Sequence, residues 1–327
     1  MEAGRRGERR DITLFDCSIA VIEQLLYIRS GLQKLQKTVR APAFVTPTSS
    51  VNHGDTAPAP RMAEAIGLVK KFVGLDLRMV GVGAGLSARI AMPKCQDKLL
   101  DLYIAEDKRL EGRTPYYGVL WPSAIGLAHE ASAHIHDGDA VLELGCGLGL
   151  GGIAAALTAN PSRVLVTDHD PASVYLAKLS AKLSGVSRRV LRGAPVDWNR
   201  REQWQRHGLE PGAFDVAIAA DIIYEAEACT PVATILAHAL RPGGRFLLAD
   251  SEARVHRRAL RDAMTSSGKF VPLDELTSVV ELDMDDWQAP PRRIPGDGPE
   301  GALPSAETSP GSQKRVVLQV YERNEQP

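Results

Sequence analysis

A short run of glycines framed by acids is the first place where this sequence speaks of chemistry. Val141-Leu-Glu143-Leu-Gly145-Cys-Gly147-Leu-Gly149 joins an apolar strand pattern to closely spaced glycines, and Gly152 follows. Glycines at such a turn let the main chain bend tightly and approach a ligand, offering free N–H groups at the start of the next helix. Gly147-x-Gly149-x-x-Gly152 also fits a dinucleotide fingerprint, and Asp168 follows about twenty residues on, where an acid would meet ribose hydroxyls. The loop therefore suits an adenosine-containing ligand, with a nicotinamide dinucleotide as one candidate. Glu143 turns against that candidate, because a carboxylate just before the turn welcomes an ammonium and repels a pyrophosphate. Farther along, Ala219-Ala220-Asp221-Ile-Ile-Tyr224 ends another apolar run. Its carboxylate and phenol fall over the carboxyl ends of the strands, where open α/β sheets bind ligands.

These residues need strands that end on a common edge. From about Thr114 to Arg323 strand and helix signals alternate, the pattern of a parallel sheet with helices on both faces. Strands are predicted at 140–144, 163–167, 189–191, 214–219, 245–248, 277–282 and 315–321. Asp170 and Pro171 read as the cap and first residue of a helix that Gly185 closes. A helix over 225–240 should stop at Pro242-Gly243-Gly244, which turns sharply into the next strand. Arg254, His256, Arg257, Arg258 and Arg261 read as the solvated face of a basic helix over 254–265. Upstream, 62–73 has the spacing of a short amphipathic helix, and 77–93 that of a strand or hairpin turning around Gly81, Gly83 and Gly85. Three regions follow: an N-terminal helix at 11–36 with a Pro/Ser/Thr-rich linker, together 1–60; an extension over 61–113 packing on the core; and the domain at 114–323, with a Pro-, Gly- and Ser-rich insertion around 286–313.

Composition narrows the classes. The chain of 327 residues carries 39 Lys+Arg against 40 Asp+Glu, which gives no electrostatic case for wholesale binding to nucleic acid or an anionic membrane. No apolar run approaches the ~18–20 residues needed to span a bilayer. Cys17, Cys95, Cys146 and Cys229 form no C-x-x-C pair, so a reducing compartment is expected, the cytoplasm first and the nucleus second. Glu2, Glu8 and Asp11 argue against an organellar presequence without ruling one out. The eight histidines show no metal-binding grouping, and no metal is expected.

Taken in order, the E-x-G-x-G-x-G loop, Thr167-Asp168 at a strand end, Asp221-Ile-Ile-Tyr224 and the Pro-Gly-Gly turn resemble the class I S-adenosylmethionine-dependent methyltransferases. More narrowly, Trp121-Pro122, Val196-Asp197-Trp198 and the D-x-x-Y tetrad resemble the seven-strand protein-lysine methyltransferase group, family 16 type. The resemblance covers 114–323 and implies a Rossmann-like α/β fold: a seven-stranded mixed sheet, last strand antiparallel, with helices on both faces and an N-terminal helical appendage. It implies S-adenosylmethionine as cofactor. Glu143, Gly145, Gly147 and Gly149 would line its methionine and ribose portion, Asp168 (with Asp170 competing) would bind the ribose hydroxyls, and Asp197 and Trp198 would meet the adenine. Trp121 would help to close the pocket, and Ala220 counts among the cofactor-binding positions. At the acceptor end, the resemblance casts Asp221 as the group that attracts a lysine cation and Tyr224 as the one that directs the amine. The implied partner is a protein bearing the target lysine, with no nucleic acid or membrane, and the chain would act as a monomer. A small-molecule N- or O-methyltransferase, or an idle cofactor-binding interaction module, are the alternatives.

Overall fold

Continuous apolar runs make the centre of the fold in the computed structural model of the chain, which describes residues 62–106, 113–283 and 313–324. The predicted helix at 11–36, the linker and residues 286–312 of the predicted insertion lie outside the described residues. The strands of the main sheet are β3 (Ala140–Leu144), β4 (Arg163–Asp168), β5 (Leu191–Pro195), β6 (Phe214–Ala220), β7 (Leu240–Ser251), β8 (Phe270–Pro272), β9 (Ser278–Asp283) and β10 (Gln313–Arg323). Every residue of β3 is buried, as expected of a strand covered on both faces. The order is β5-β4-β3-β6-β7-β10-β8, with β9 also paired to β10. The first five strands run parallel, and β10 runs antiparallel to β7, β8 and β9. The chain builds outward from β3 to β5 and then crosses to β6, so the order reverses between β3 and β6. That crevice is where an α/β sheet takes its ligand.

Side chains alternate between two cores. Val141, Val216, Ile218 and Leu247 join the core under α3 (Pro122–His134), α4 (Leu150–Thr158) and α5 (Pro171–Leu183). Leu142, Leu144, Ala217, Phe246 and Leu248 join the other, under α6 (Cys229–Ala239) and α7 (Arg257–Ser266). Upstream come α1 (Met62–Phe72), a hairpin of β1 (Leu75–Gly81) and β2 (Ser87–Pro93), and α2 (Gln96–Ala105). Val80, Ile90, Leu99 and Tyr103 of this segment belong to the first core. Two serines of α5 fasten β2: Ser180 Oγ accepts from Ala91 N at 2.9 Å and Ser184 Oγ from Arg89 N at 2.8 Å.

Several expectations shift. The third predicted strand begins only at Leu191, because Ser187 O accepts from the N–H groups of both Val190 and Leu191 and prolongs the turn. Pro242-Gly243-Gly244 does not precede β7 but bulges within it: Leu240 pairs with Phe214 and Arg245 with Val216, and the residues between loop out. The helix expected from 225 begins at Cys229, after a 3-10 turn over Ala226–Ala228. α2 and β8 carried no sequence expectation. Arg254 lies in the loop before α7 and is largely buried rather than part of a solvated helix face.

Candidate active site

The cleft opens where the chain leaves β3, β4 and β6 at their carboxyl ends. Gly145 has φ +60, and a Cβ added there would stand 2.6 Å from Ile222 Cγ2, so both backbone and space demand glycine. Gly147 follows with φ +53 and donates its N–H to Asp168 Oδ2 at 3.0 Å. Cys146 N–H donates to Thr167 O at 2.9 Å, which ties the turn after β3 to the end of β4. Asp168 therefore sits at the strand tip with its carboxyl against the turn, and its Oδ1 also accepts from Asp170 N at 3.0 Å.

Asp170 does local work beneath. It caps α5, accepting from Ala172 N at 2.8 Å, and takes the Tyr103 hydroxyl at 2.7 Å. Tyr103 and Tyr117 hydroxyls meet at 3.0 Å, so a buried chain of polar groups runs from α2 to the Asp168 end of the cleft. Burial pushes the Asp170 carboxyl up, while the Tyr103 hydrogen bond opposes that rise. Tyr103 and Tyr117 are both pushed well above the usual phenol range, burial first and the Asp170 charge second.

Trp121, Gly145, Gly147, Asp168, Trp198, Ala220, Asp221 and Tyr224 come together along this one cleft. Glu143, Gly149 and Asp197 do not line it. Glu143 shares the face of Val141, and its carboxyl turns under α4 to accept from Gly152 N at 3.0 Å. Burial pushes it up to about 8. Gly149, with φ +80, seats the first turn of α4 against Ala177. Asp197 folds back on its own loop, accepting from Asn199 N at 2.9 Å with Arg200 at 3.4 Å. Thr114, Tyr116, Tyr117 and His169 also line the cleft, without having been foreseen. The Tyr116-Tyr117 pair near Trp121 was a usable signal, being an aromatic cluster in a chain with only 5% aromatics.

At the mouth, Tyr116 and Tyr224 meet edge to face with ring centroids 5.2 Å apart. Asp221 has φ +53, a left-handed conformation rare outside glycine, fixed by its N–H donating to Ala249 O at 3.0 Å. None of the described residues lining the cleft is Lys or Arg, whereas Asp168, Asp170 and Asp221 all do. Among the described residues no group of three or more His, Cys, Asp or Glu could hold a metal ion, and no helix is long and apolar enough to cross a membrane.

A family model described as lysine methyltransferase matches residues 100–265, just over half of the 327-residue chain. Among curated proteins, the electron transfer flavoprotein beta subunit lysine methyltransferase of Xenopus laevis is 26% identical over 168 residues, covering 51% of this chain and 62% of that protein. The ribosomal protein L11 methyltransferase of Thermus thermophilus is 35% identical over 150 residues, covering 46% and 52%. A protein N-lysine methyltransferase of Danio rerio is 29% identical over 143 residues, covering 42% and 62%. The matched region thus spans between about half and 62% of the length of these relatives.

Proposed function

We propose a function that starts from one premise: the chain belongs to the lysine methyltransferase family. The reading is transfer of a methyl group from S-adenosylmethionine to the side-chain amine of a lysine in another protein. The observation that carries it is one cleft with the Gly145–Gly147 turn and Asp168 at one end and Asp221 with Tyr224 at the other.

The residues present fit that cofactor. A lining with three carboxylates and no Lys or Arg among the described residues suits a cationic, phosphate-free ligand and disfavours a pyrophosphate. Asp168 stands where ribose hydroxyls can donate to it, and the Trp198 ring beside Gly145 offers a flat apolar face for a base. When bound, S-adenosylmethionine supplies an electrophilic methyl on a sulfonium. The chain's own task is orientation, since an in-line displacement needs a lone pair aimed at that methyl. A lysine amine has an ordinary pKa of about 10.4 and arrives protonated, so it must be attracted, aligned and relieved of its proton. Asp221 attracts the cation, and the Tyr116–Tyr224 ring pair walls its approach.

The names of the similar proteins support a protein acceptor. The described cysteines, Cys95, Cys146 and Cys229, are free thiols, which supports a cytoplasmic setting, and the monomer is taken as the acting form. Incubation with methyl-labelled cofactor and a cell extract tests the reading. Label on protein lysine, lost with Asp221→Asn, supports it; label on a metabolite would move the acceptor class to small molecules. Cofactor binding without any transfer would indicate an idle binding module.

A further inference from the structure

Asp221 does not face the cleft alone. Its Oδ1 accepts from Arg254 Nη2 at 2.8 Å, with the Asp221 side chain 8% exposed and Arg254 22%. Behind them Asp250, at the end of β7, is fully buried, and its Oδ1 lies 3.6 Å from Arg254 Nε. Neither Asp250 oxygen has a hydrogen-bond partner among the described residues, nor does Arg254 Nε. Burial, with the Asp221 charge adding to it, pushes the Asp250 carboxyl up to about 8. Arg254 stands nearer to Asp221, at 2.8 Å, than to Asp250, at 3.6 Å, so its charge falls chiefly on Asp221.

We propose that Arg254 is a positioning residue that shares the Asp221 carboxylate with the incoming amine, so that the protonated acceptor is held weakly and its neutral form is favoured. The proposal rests on the reading of Asp221 as the acceptor-side carboxylate. A neighbouring cation lowers an amine's affinity for its proton, whereas a bare, half-enclosed carboxylate raises it. Unshared, Asp221 would hold the ammonium tightly in the form that has no lone pair to attack with, which is ground-state binding that slows transfer. The other titratable groups about this cluster are Arg257 from α7, Cys229 from α6 and Tyr321 from β10, with Tyr224 on the cleft wall. Burial pushes the Cys229 thiol up and Tyr321 to about 12. Arg254 and Asp250 thus set the charge that an amine meets near pH 7.

The test uses n-butylamine as the probe cation, titrated at pH 7 into the full chain loaded with S-adenosylhomocysteine and followed by NMR shifts. Arg254→Gln should bind it ~10-fold more tightly than the parent, and Arg254→Lys, which keeps the charge, should stay within about twofold. The proposal is overturned if Arg254→Gln binds no more tightly, or if Arg254→Lys moves as far. Arg254→Met repeats the measurement if circular dichroism shows Arg254→Gln unfolded, and loss of the fold in both would overturn the tuning role in favour of a structural one. Asp221→Asn should weaken binding ~10-fold. If it does not, the Asp221 reading itself has failed, an outcome distinct from the Arg254 results.

Discussion

The two ends of the cleft are made of different materials. At the end proposed for the cofactor the parts are main chain and one carboxyl, Gly145, Gly147 and Asp168, drawn from two consecutive strand ends. At the end proposed for the acceptor they are side chains from distant stretches, Tyr116, Asp221 and Arg254, held by a ring contact, an ion pair and a left-handed backbone. One end is specified by shape, the other by charge. A shape made of backbone tolerates few changes, whereas a charge balance can be retuned by single substitutions.

Asp221→Asn should have the largest effect. Asn tolerates the left-handed conformation, so the charge is lost without added strain. Turnover should fall ~1,000-fold or more, while the cofactor dissociation constant by calorimetry stays within about twofold. A parallel loss of cofactor binding would erase the distinction between the two ends. Gly145→Ala strikes the other end, with both a positive φ and a 2.6 Å contact to Ile222 against it. Thermal denaturation should show a loss of about 2–3 kcal/mol, and cofactor affinity should drop at least ~10-fold. Unchanged affinity would remove the turn from the cofactor's surroundings. Tyr103→Phe leaves the Asp170 carboxyl one hydrogen bond short and should cost ~1–3 kcal/mol, read from the denaturant midpoint.

A further effect, on stability alone, should come from pH. Burial holds Glu143 and Asp250 up at about 8, far above ordinary carboxyl values. The folded chain then binds protons that the unfolded chain has already released. That contribution to stability is complete below about pH 4 and is lost as pH rises to about 8. The ligand-free melting temperature should therefore decline steadily as pH rises from about 5 to 8. Glu143→Gln should flatten the cofactor-end share of this decline and Asp250→Asn the acceptor-end share.

The same contrast explains what could be read in the sequence. Gly145, Gly147 and Asp168 are local features of strand–turn–helix units, and spacing alone reports them. The alternating strand and helix signals likewise reveal the parallel sheet. Glu143 was harder. Its place next to the turn suggested the ligand, yet it shares a strand face with Val141 and so points under α4. The clue was Gly151-Gly152, where a Cβ would come within 2.6 and 2.8 Å of its carboxyl oxygens. Arg254 looked like one of a row of solvated cations, because nothing local reports that β7 runs on to Ser251 and delays the next helix to Arg257. Tyr103 lies 67 residues from Asp170, and only the packing of α2 on the core brings them together.

That last pairing bears on how the protein should be cut. The sheet signals begin near Thr114, an inviting place to start a fragment. Such a fragment would lack Tyr103, strand the Asp170 carboxyl in an apolar setting, and uncover the footprint of Val80, Ile90 and Leu99 on the core. Ser180 and Ser184 would lose their partners on β2 as well. The shortest piece suited to expression and labelling begins ahead of α1, with any tag placed before Met62 rather than between α2 and α3.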